Sequence, residues 1–365
     1  MGEKAKKALI AMSGGVDSSV AAYLVQRQGM RCIGVTMKLF VNEDIGLERG
    51  NTCCSLADTQ DARSVAYHLG MPFYVFNFTG DFKTQVIDRF VDAYQKGLTP
   101  NPCIDCNRYM KFYKLFWRMK QLDIDYLATG HYARVEYDEA KSRWLLKKAA
   151  DDTKDQSYVL YTLTQEQLSH ILFPLGGLRK TEVREIAAAQ GFVNARKHDS
   201  QDICFVPDGD YARFIESYTE TTAEAGDFIN MRGEPMGRHK GLIRYTVGQR
   251  KGLGISAPEP LYVRTKNIRD NTVTLCEEKD LFTRALVASD FNWIAYDDPP
   301  ESLRVKARVR YKQPEQWADV TPAAGGTARI VFDEPQRAIC EGQAVVLYDG
   351  DTVVGGGTIA EVEKE

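Results

Sequence analysis

The stretch that most constrains this chain is Ala11-Met12-Ser13-Gly14-Gly15-Val16-Asp17-Ser18-Ser19, set between an apolar run, Ala8 to Met12, and a helical pattern of Val20, Ala21, Leu24 and Val25. A strand, a glycine turn and a helix in immediate succession make a phosphate cradle. Two adjacent glycines let the backbone approach a ligand closely. Ser18 or Ser19 opening the helix aims unpaired N–H groups and the positive end of its dipole at an anion. Gly29 closes the helix as a C′ residue. No Gly-Lys-Ser/Thr follows the glycines, so this is not a Walker loop and a different phosphate chemistry is implied.

Beyond Gly29 the strand–helix pattern repeats. Ile33, Val35, Met37 and Leu39 alternate on one face of a strand over Arg31 to Leu39, and Asn42 to Thr52 is a polar loop. Helical spacing returns at Leu56, Ala57, Val65, Ala66 and Leu69 and stops at Gly70, and Pro72 to Phe78 is a strongly apolar strand. Helices are expected over Phe82 to Tyr94 and Arg108 to Leu122, then a strand over Asp125 to Thr129 that ends at Gly130-His131. This alternation predicts an α/β fold, a doubly wound parallel sheet that binds ligands beyond the carboxyl ends of its strands. The phosphate turn, Met37 and Gly130 all fall at such ends, although spacing alone favours Met37 as a core residue on its strand.

A helix over Thr181 to Gln190 closes at Gly191, and composition changes near Pro207-Asp208-Gly209. From Gly226 onward glycine turns separate short β-type runs, among them Leu261 to Arg264, Thr272 to Cys276, Val305 to Tyr311 and Ala344 to Tyr348, with Asp349-Gly350 a strong hairpin signal. A division at 1–210, 211–277 and 278–365 is expected, the middle piece a small linking domain and the last a β-barrel. At 365 residues the chain is too long for one small core. A formal net charge of -3 gives no global field for nucleic acid, so RNA contact must come from local patches. The apolar run after Met1 to Lys7 ends at Ser13, far short of a spanning segment, and a cytoplasmic protein without a membrane partner is expected. Eight cysteines are too few for a disulfide scaffold.

The cysteines therefore matter as chemistry. Asn101-Pro102-Cys103-Ile104-Asp105-Cys106-Asn107 sets two thiols three positions apart just before the expected helix, where its dipole lowers a thiol pKa and favours the thiolate. Half a zinc site, a redox pair, cluster ligands and an inert loop pair all share this spacing. A structural zinc site wants a second pair, and adjacent Cys53-Cys54 suits tetrahedral ligation poorly. A third thiol, Cys204, follows His198-Asp199-Ser200-Gln201-Asp202-Ile203 and precedes Phe205, where a buried cysteine is the commoner case.

Ser13 to Ser18 resembles the pyrophosphate loop of the N-type ATP pyrophosphatases, which cleave ATP between the α- and β-phosphates. The Asn101 to Asn107 segment, Lys154-Asp155-Gln156-Ser157, Asp199 to Phe205 and Tyr245-Thr246-Val247-Gly248-Gln249-Arg250-Lys251-Gly252-Leu253-Gly254 complete a set of five motifs. In this order they resemble the bacterial tRNA-specific 2-thiouridylases over nearly the whole chain. The resemblance implies an adenine nucleotide α-hydrolase-like domain, a small central domain and a C-terminal β-barrel. It also implies replacement of the C2 oxygen of the wobble uridine of tRNA by sulfur, giving 2-thiouridine, AMP and diphosphate.

Carried onto this sequence, the resemblance puts ATP, with Mg2+, against Ala11, Met12, Ser13, Gly14, Gly15, Val16, Asp17, Ser18, Met37 and Gly130. It assigns tRNA contacts to Asn101, Pro102, Cys103, Lys154, Asp155, Gln156, Arg310 and Tyr311, and chemistry to Cys106 and Cys204. Cys204 would carry a persulfide delivered by a sulfur-relay protein or a cysteine desulfurase. Cys106 would be its partner thiol, freeing sulfide or closing a disulfide with Cys204. The wobble base must leave the anticodon-loop stack to be reached. Independently of any family, Lys306, Arg308 and Arg310 share one strand face as a positive stripe suited to phosphates. Many members of the family carry aspartate where this chain has Cys103. The extra thiol opens an alternative in which Cys103, Cys106 and Cys204 ligate a [4Fe-4S] cluster that holds the transferred sulfide. Two other readings compete: an ATP-dependent amidotransferase or ligase using the same loop, and a redox-sensing RNA-binding protein that kept the nucleotide fold.

Overall fold

The computed structural model describes residues 5–41, 56–197, 203–206 and 208–363. The polar loop Asn42 to Thr52, Cys53, Cys54 and the segment His198 to Asp202 lie outside them. Two compact units form, one from residues 1–87, 102–209 and 350–353, the other from 88–101, 210–349 and 354–365.

The first unit is built on a five-stranded parallel sheet of β1 (Lys7–Ala11), β2 (Arg31–Lys38), β3 (Phe73–Asn77), β4 (Tyr126–Ala128) and β7 (Ile171–Leu172), in the order β3-β2-β1-β4-β7. Helix α1 (Val16–Arg27) and helix α2 (Leu56–His68) make the crossovers from β1 to β2 and from β2 to β3. The chain goes one way from β1 to β2 and the other way to β4, so the sheet has its switch point between β1 and β4, where a ligand crevice opens. Val20, Ala21 and Val25 of α1 share a core with Val65 and Ala66 of α2 and with Val183 and Ala187 of the helix Lys180–Ala189. A hairpin of β5 (Arg134–Asp138) and β6 (Arg143–Lys147) follows β4.

One local expectation holds with a difference in exposure, and one is corrected. The apolar run Pro72 to Phe78 forms β3 at the sheet edge, and Tyr74 and Val75 stay exposed because nothing pairs with that strand's outer side among the described residues. The expected helix at Arg108 starts earlier, at Pro102, and runs as Pro102–Asp105, a π-helical stretch Cys106–Leu115 and Phe116–Gln121. A proline is at home in the first helical turn, where its missing N–H costs nothing.

In the second unit, β8 (Gly226–Ile229), β9 (Pro235–His239), β10 (Tyr262–Asn267) and β11 (Thr272–Cys276) form a sheet in the order β10-β11-β8-β9. Phe228, Tyr245, Val263, Val273 and Leu275 make its core. The remaining strands are β12 (Phe282–Trp293), β13 (Leu303–Arg308), β14 (Gln316–Ala323), β15 (Thr327–Arg337), β16 (Ala344–Asp349) and β17 (Thr352–Val362). They run in the order β12-β15-β14-β13-β16-β17, and β17 pairs back onto β12, which closes a six-stranded barrel and removes its free edges. The Asp349-Gly350 turn joins β16 to β17, with Gly350 at φ +59°. Among the described residues, no helix is long and apolar enough to cross a membrane.

Candidate active site

The phosphate loop is held by its own serines. Helix α1 is capped at Gly15, earlier than the sequence suggests, so Ser18 and Ser19 lie inside its first turn, and each hydroxyl donates to the Gly15 carbonyl at 3.0 Å. The Ser18 hydroxyl also accepts from the Ser13 N–H at 3.2 Å, closing the loop on itself. Gly14 has φ +79°, and a Cβ there would collide with the Asp58 carbonyl, so only glycine fits. Gly130 ends β4 against the same turn, where a Cβ would lie 2.7 Å from the Ser18 nitrogen.

Several clamps on this loop are not legible in sequence motifs. Asn194 donates through Nδ2 to the Gly14 carbonyl and to the Ser19 hydroxyl, both at 2.9 Å. Lys197 reaches the same carbonyl at 3.4 Å while pairing with Asp58 at 2.5 Å and Asp61 at 2.6 Å. Burial pulls the Lys197 pKa down, but the hydrogen bonds and charges of the two aspartates outweigh it and leave the pKa raised. Asp17 accepts from Lys180 Nζ at 2.7 and 2.8 Å and from the Tyr132 hydroxyl at 2.8 Å. Each clamp comes from more than a hundred residues away in sequence, or from a lone polar residue without a motif around it.

A cavity of about 330 Å³ opens at the carboxyl ends of the strands. Ala11, Met12, Ser13, Asp17, Ser18, Met37 and Gly130 line it on the loop side, and Pro102, Cys103, Cys106, Gln156 and Cys204 line it as well. The three thiols therefore face one cavity with the phosphate loop, though about a hundred residues separate the first two from the third. Cys103 is exposed, Cys106 and Cys204 are half-buried, and none of them is in a disulfide.

The helix start at Pro102 changes the expected chemistry of Cys106. Cys106 is the fifth residue of a helical run rather than the residue before one, so the N-terminal dipole does not favour its thiolate. Burial pushes its pKa up to about 11, Cys103 and Asp105 add to the rise, and Lys111 alone works against it. Lys111 lines the same cavity and reaches His131 Nε2 at 3.4 Å. Burial and the Lys111 charge hold the His131 pKa well below its usual range, so the ring is neutral. An ammonium only donates, so Nε2 accepts and Nδ1–H donates to the Thr129 hydroxyl at 2.7 Å. His131 thus anchors a cation beside the thiols.

The other expected contact residues, Gln156 apart, do not line the cavity. Gly14, Gly15 and Val16 shape the loop without lining the cavity. The Asp155 carboxylate is buried and accepts from the Ala149 N–H, the Ser157 N–H and the Ser157 hydroxyl, so it holds the backbone. Gln156 exchanges hydrogen bonds with the backbone of Tyr132 at 2.9 and 2.8 Å, and Lys154 is half-buried nearby in sequence. In the second unit Asn101 is half-buried ahead of the Pro102 helix. Strand β13 ends at Arg308, so Arg310 lies past it, and Arg310 Nη2 donates to the Val247 and Ala338 carbonyls at 3.0 Å each and to the Cys340 sulfur at 2.7 Å. Arg308 pairs with Glu315 at 3.0 Å. The basic stripe is therefore largely engaged inside the fold, and Tyr311 beside it is exposed.

Among the described residues, no three His, Cys, Asp or Glu side chains stand close enough to hold a metal ion. The three thiols line one cavity, but not at that closeness. Among the described residues lining the cavity Asp17 is the one carboxylate, and its oxygens already accept from Lys180 and Tyr132.

Comparison with known proteins matches residues 6–208 to the tRNA methyl transferase HUP domain, residues 212–277 to the tRNA methyl transferase PRC-barrel domain and residues 283–359 to the aminomethyltransferase β-barrel domain. The tRNA-specific 2-thiouridylase MnmA of Clostridioides difficile is 51% identical over 354 residues, 97% of this chain and 98% of that protein. The protein of the same name from Moorella thermoacetica is 52% identical over 357 residues, 98% of this chain and all of that one.

Proposed function

The chain belongs to the tRNA-specific 2-thiouridylase family, and from that premise we propose that it thiolates the wobble uridine of tRNA at C2, in the cytoplasm, at the expense of ATP. The observation that supports this most is the single cavity lined by the phosphate loop and by Cys103, Cys106 and Cys204. An amidotransferase or ligase has no use for thiols there, and a pure RNA binder has no use for the loop. The three-part division at 210 and 277 belongs to the same proposal, with adenylation in the first part.

A uracil carbonyl oxygen is a poor leaving group. In the first step the C2 oxygen bonds to the α-phosphorus of ATP as the bond to the β-phosphate breaks. Diphosphate leaves with the electron pair into the Ser13 to Ser18 loop, and the N3 proton passes to solvent. Helix α1 and the loop N–H groups favour the departing charge. In the second step the outer sulfur of a Cys204 persulfide, supplied by a sulfur-relay protein or cysteine desulfurase, attacks C2, and AMP departs with the C–O bonding pair. The Cys106 thiolate then attacks the Cys204 sulfur. The S–S bond to the transferred atom breaks, the base keeps its sulfur as a thiocarbonyl and regains a proton at N3 from solvent, and a Cys106–Cys204 disulfide remains. A thiol reductant returns two electrons to restore both thiols. Lys111 is the cation placed to support the Cys106 thiolate.

Unmodified tRNA, ATP and a persulfide donor test this with two readouts, diphosphate release and 2-thiouridine in digested tRNA. Cys204→Ser is expected to release tRNA-dependent diphosphate and form no 2-thiouridine. Full thiolation by Cys204→Ser, or diphosphate release indifferent to tRNA, would overturn the proposal.

A further inference from the structure

The second unit holds a cavity of about 590 Å³ that the reaction above leaves unused. Three cationic residues line it, Arg264, Lys266 and Arg269, against one acidic residue, Glu341. Two lining residues carry buried polar atoms that lack a hydrogen-bond partner among the described residues, Lys266 Nζ and Thr283 Oγ1. Thr283 is only 2% exposed. Folded proteins pair buried polar groups almost without exception, so two such atoms on one cavity mark a place that something else completes.

The electrostatics say what that is. Burial pushes the Lys266 pKa down to about 8, with Cys340 pulling the other way. Its Nζ lies 5.9 Å from the Tyr94 ring centre, a contact that favours the cation without supplying an acceptor. Arg310 is engaged by two carbonyls and the Cys340 sulfur, whereas Lys266 Nζ has no such outlet among the described residues. A cation entering would meet excess positive charge, and a neutral ligand would leave the ammonium uncompensated. An acceptor-rich oxyanion supplies what both buried groups lack.

We propose that this cavity is a phosphate subsite, with Lys266 and Thr283 as its buried ammonium and hydroxyl and Arg264 and Arg269 as flanking charge. The phosphate belongs either to an RNA backbone, which rests on the tRNA reading above, or to free phosphate.

Two measurements on the full-length protein separate these sources. With a non-hydrolysable ATP analogue filling the first unit's loop, inorganic phosphate is titrated calorimetrically. Unmodified tRNA binding is followed against salt. If the RNA backbone is the source, Lys266→Gln weakens tRNA binding about tenfold and lowers the slope of log K against log salt by about one, while Lys266→Arg keeps both. If free phosphate is the source, the wild-type heat disappears in Lys266→Gln. Thr283→Val, nearly isosteric, carries either test should Lys266→Gln fail to fold. Unchanged phosphate heat and tRNA binding in cooperatively melting variants would overturn the subsite. A wild type that binds tRNA yet makes no 2-thiouridine would instead sink the catalytic reading and leave this one standing.

Discussion

Gly130 offers the sharpest test of how the nucleotide loop is positioned. An alanine Cβ at 130 would lie 2.7 Å from the Ser18 nitrogen and 2.8 Å from the Asp17 carbonyl carbon. Both are backbone atoms in the first turn of α1, and neither yields by a change of rotamer. Restoring an ordinary contact pushes the start of α1 away from β4 by several tenths of an ångström, carrying Asp17 and Ser18 with it. Overpacking of this kind costs about 1–3 kcal/mol, and at roughly 2–4 °C per kcal/mol the first unit should melt several degrees lower. A displacement approaching an ångström at reacting groups costs about 10²-fold, so kcat/KM for ATP should fall between ten- and a hundredfold. Gly80→Ala is the matched control, because its Cβ would meet nothing within 4 Å and Gly80 is helical. That change should leave activity alone and stabilise by up to about 1 kcal/mol. Diphosphate release and differential scanning calorimetry read both outcomes. A Gly130→Ala protein with wild-type melting and wild-type ATP kinetics would refute the close approach of β4 to α1 as the device that sets the loop.

Groups away from that turn yield two more expected outcomes. Because the Cys106 pKa is pushed up to about 11, its alkylation by iodoacetamide in the free protein should climb about tenfold per pH unit from 7 to 10 without levelling; Lys111→Met removes the charge that favours the thiolate and should slow the reaction throughout, and a plateau below pH 9 would contradict the assignment. In the barrel, Arg308 and Glu315 pair with side chains only 17% and 12% exposed, so Glu315→Ala strands a buried guanidinium and should cost about 3 kcal/mol by denaturant unfolding, whereas Asp333→Ala at the exposed Arg304 pair should barely shift the transition.

Where sequence reading succeeds, short-range physics decides the structure. The alternation of strands and helices from Lys7 to Ala128, the glycine turn and the Asp349-Gly350 hairpin are all set by neighbours a few residues apart. Family motifs, rather than spacing, draw Cys204 toward Cys106. The misses have two physical causes. Pro102 reads as part of a loop although it opens a helix, and that one shift reverses the expected effect on the Cys106 thiol from dipole-assisted to burial-suppressed. Lys180, Asn194, Lys197 and Tyr132 act through contacts that only the folded sheet creates, and nothing in their local sequence marks them. Arg310 is the reverse case, a basic residue on a strand pattern whose carbonyl partners become visible only in the fold.

The loosened winding from Cys106 to Leu115 bears on how much change this scaffold can absorb. In a regular α-helix, positions five apart point about 140° away from each other, which would turn the ammonium at 111 from the sulfur at 106. Winding one residue wider per hydrogen bond swings the two back toward a common side. Evolution working on this segment is thus held to a match of winding and spacing rather than to a sequence: five positions suit the wide coil, whereas a regular α-helix would keep sulfur and charge on one face only with one residue fewer between them.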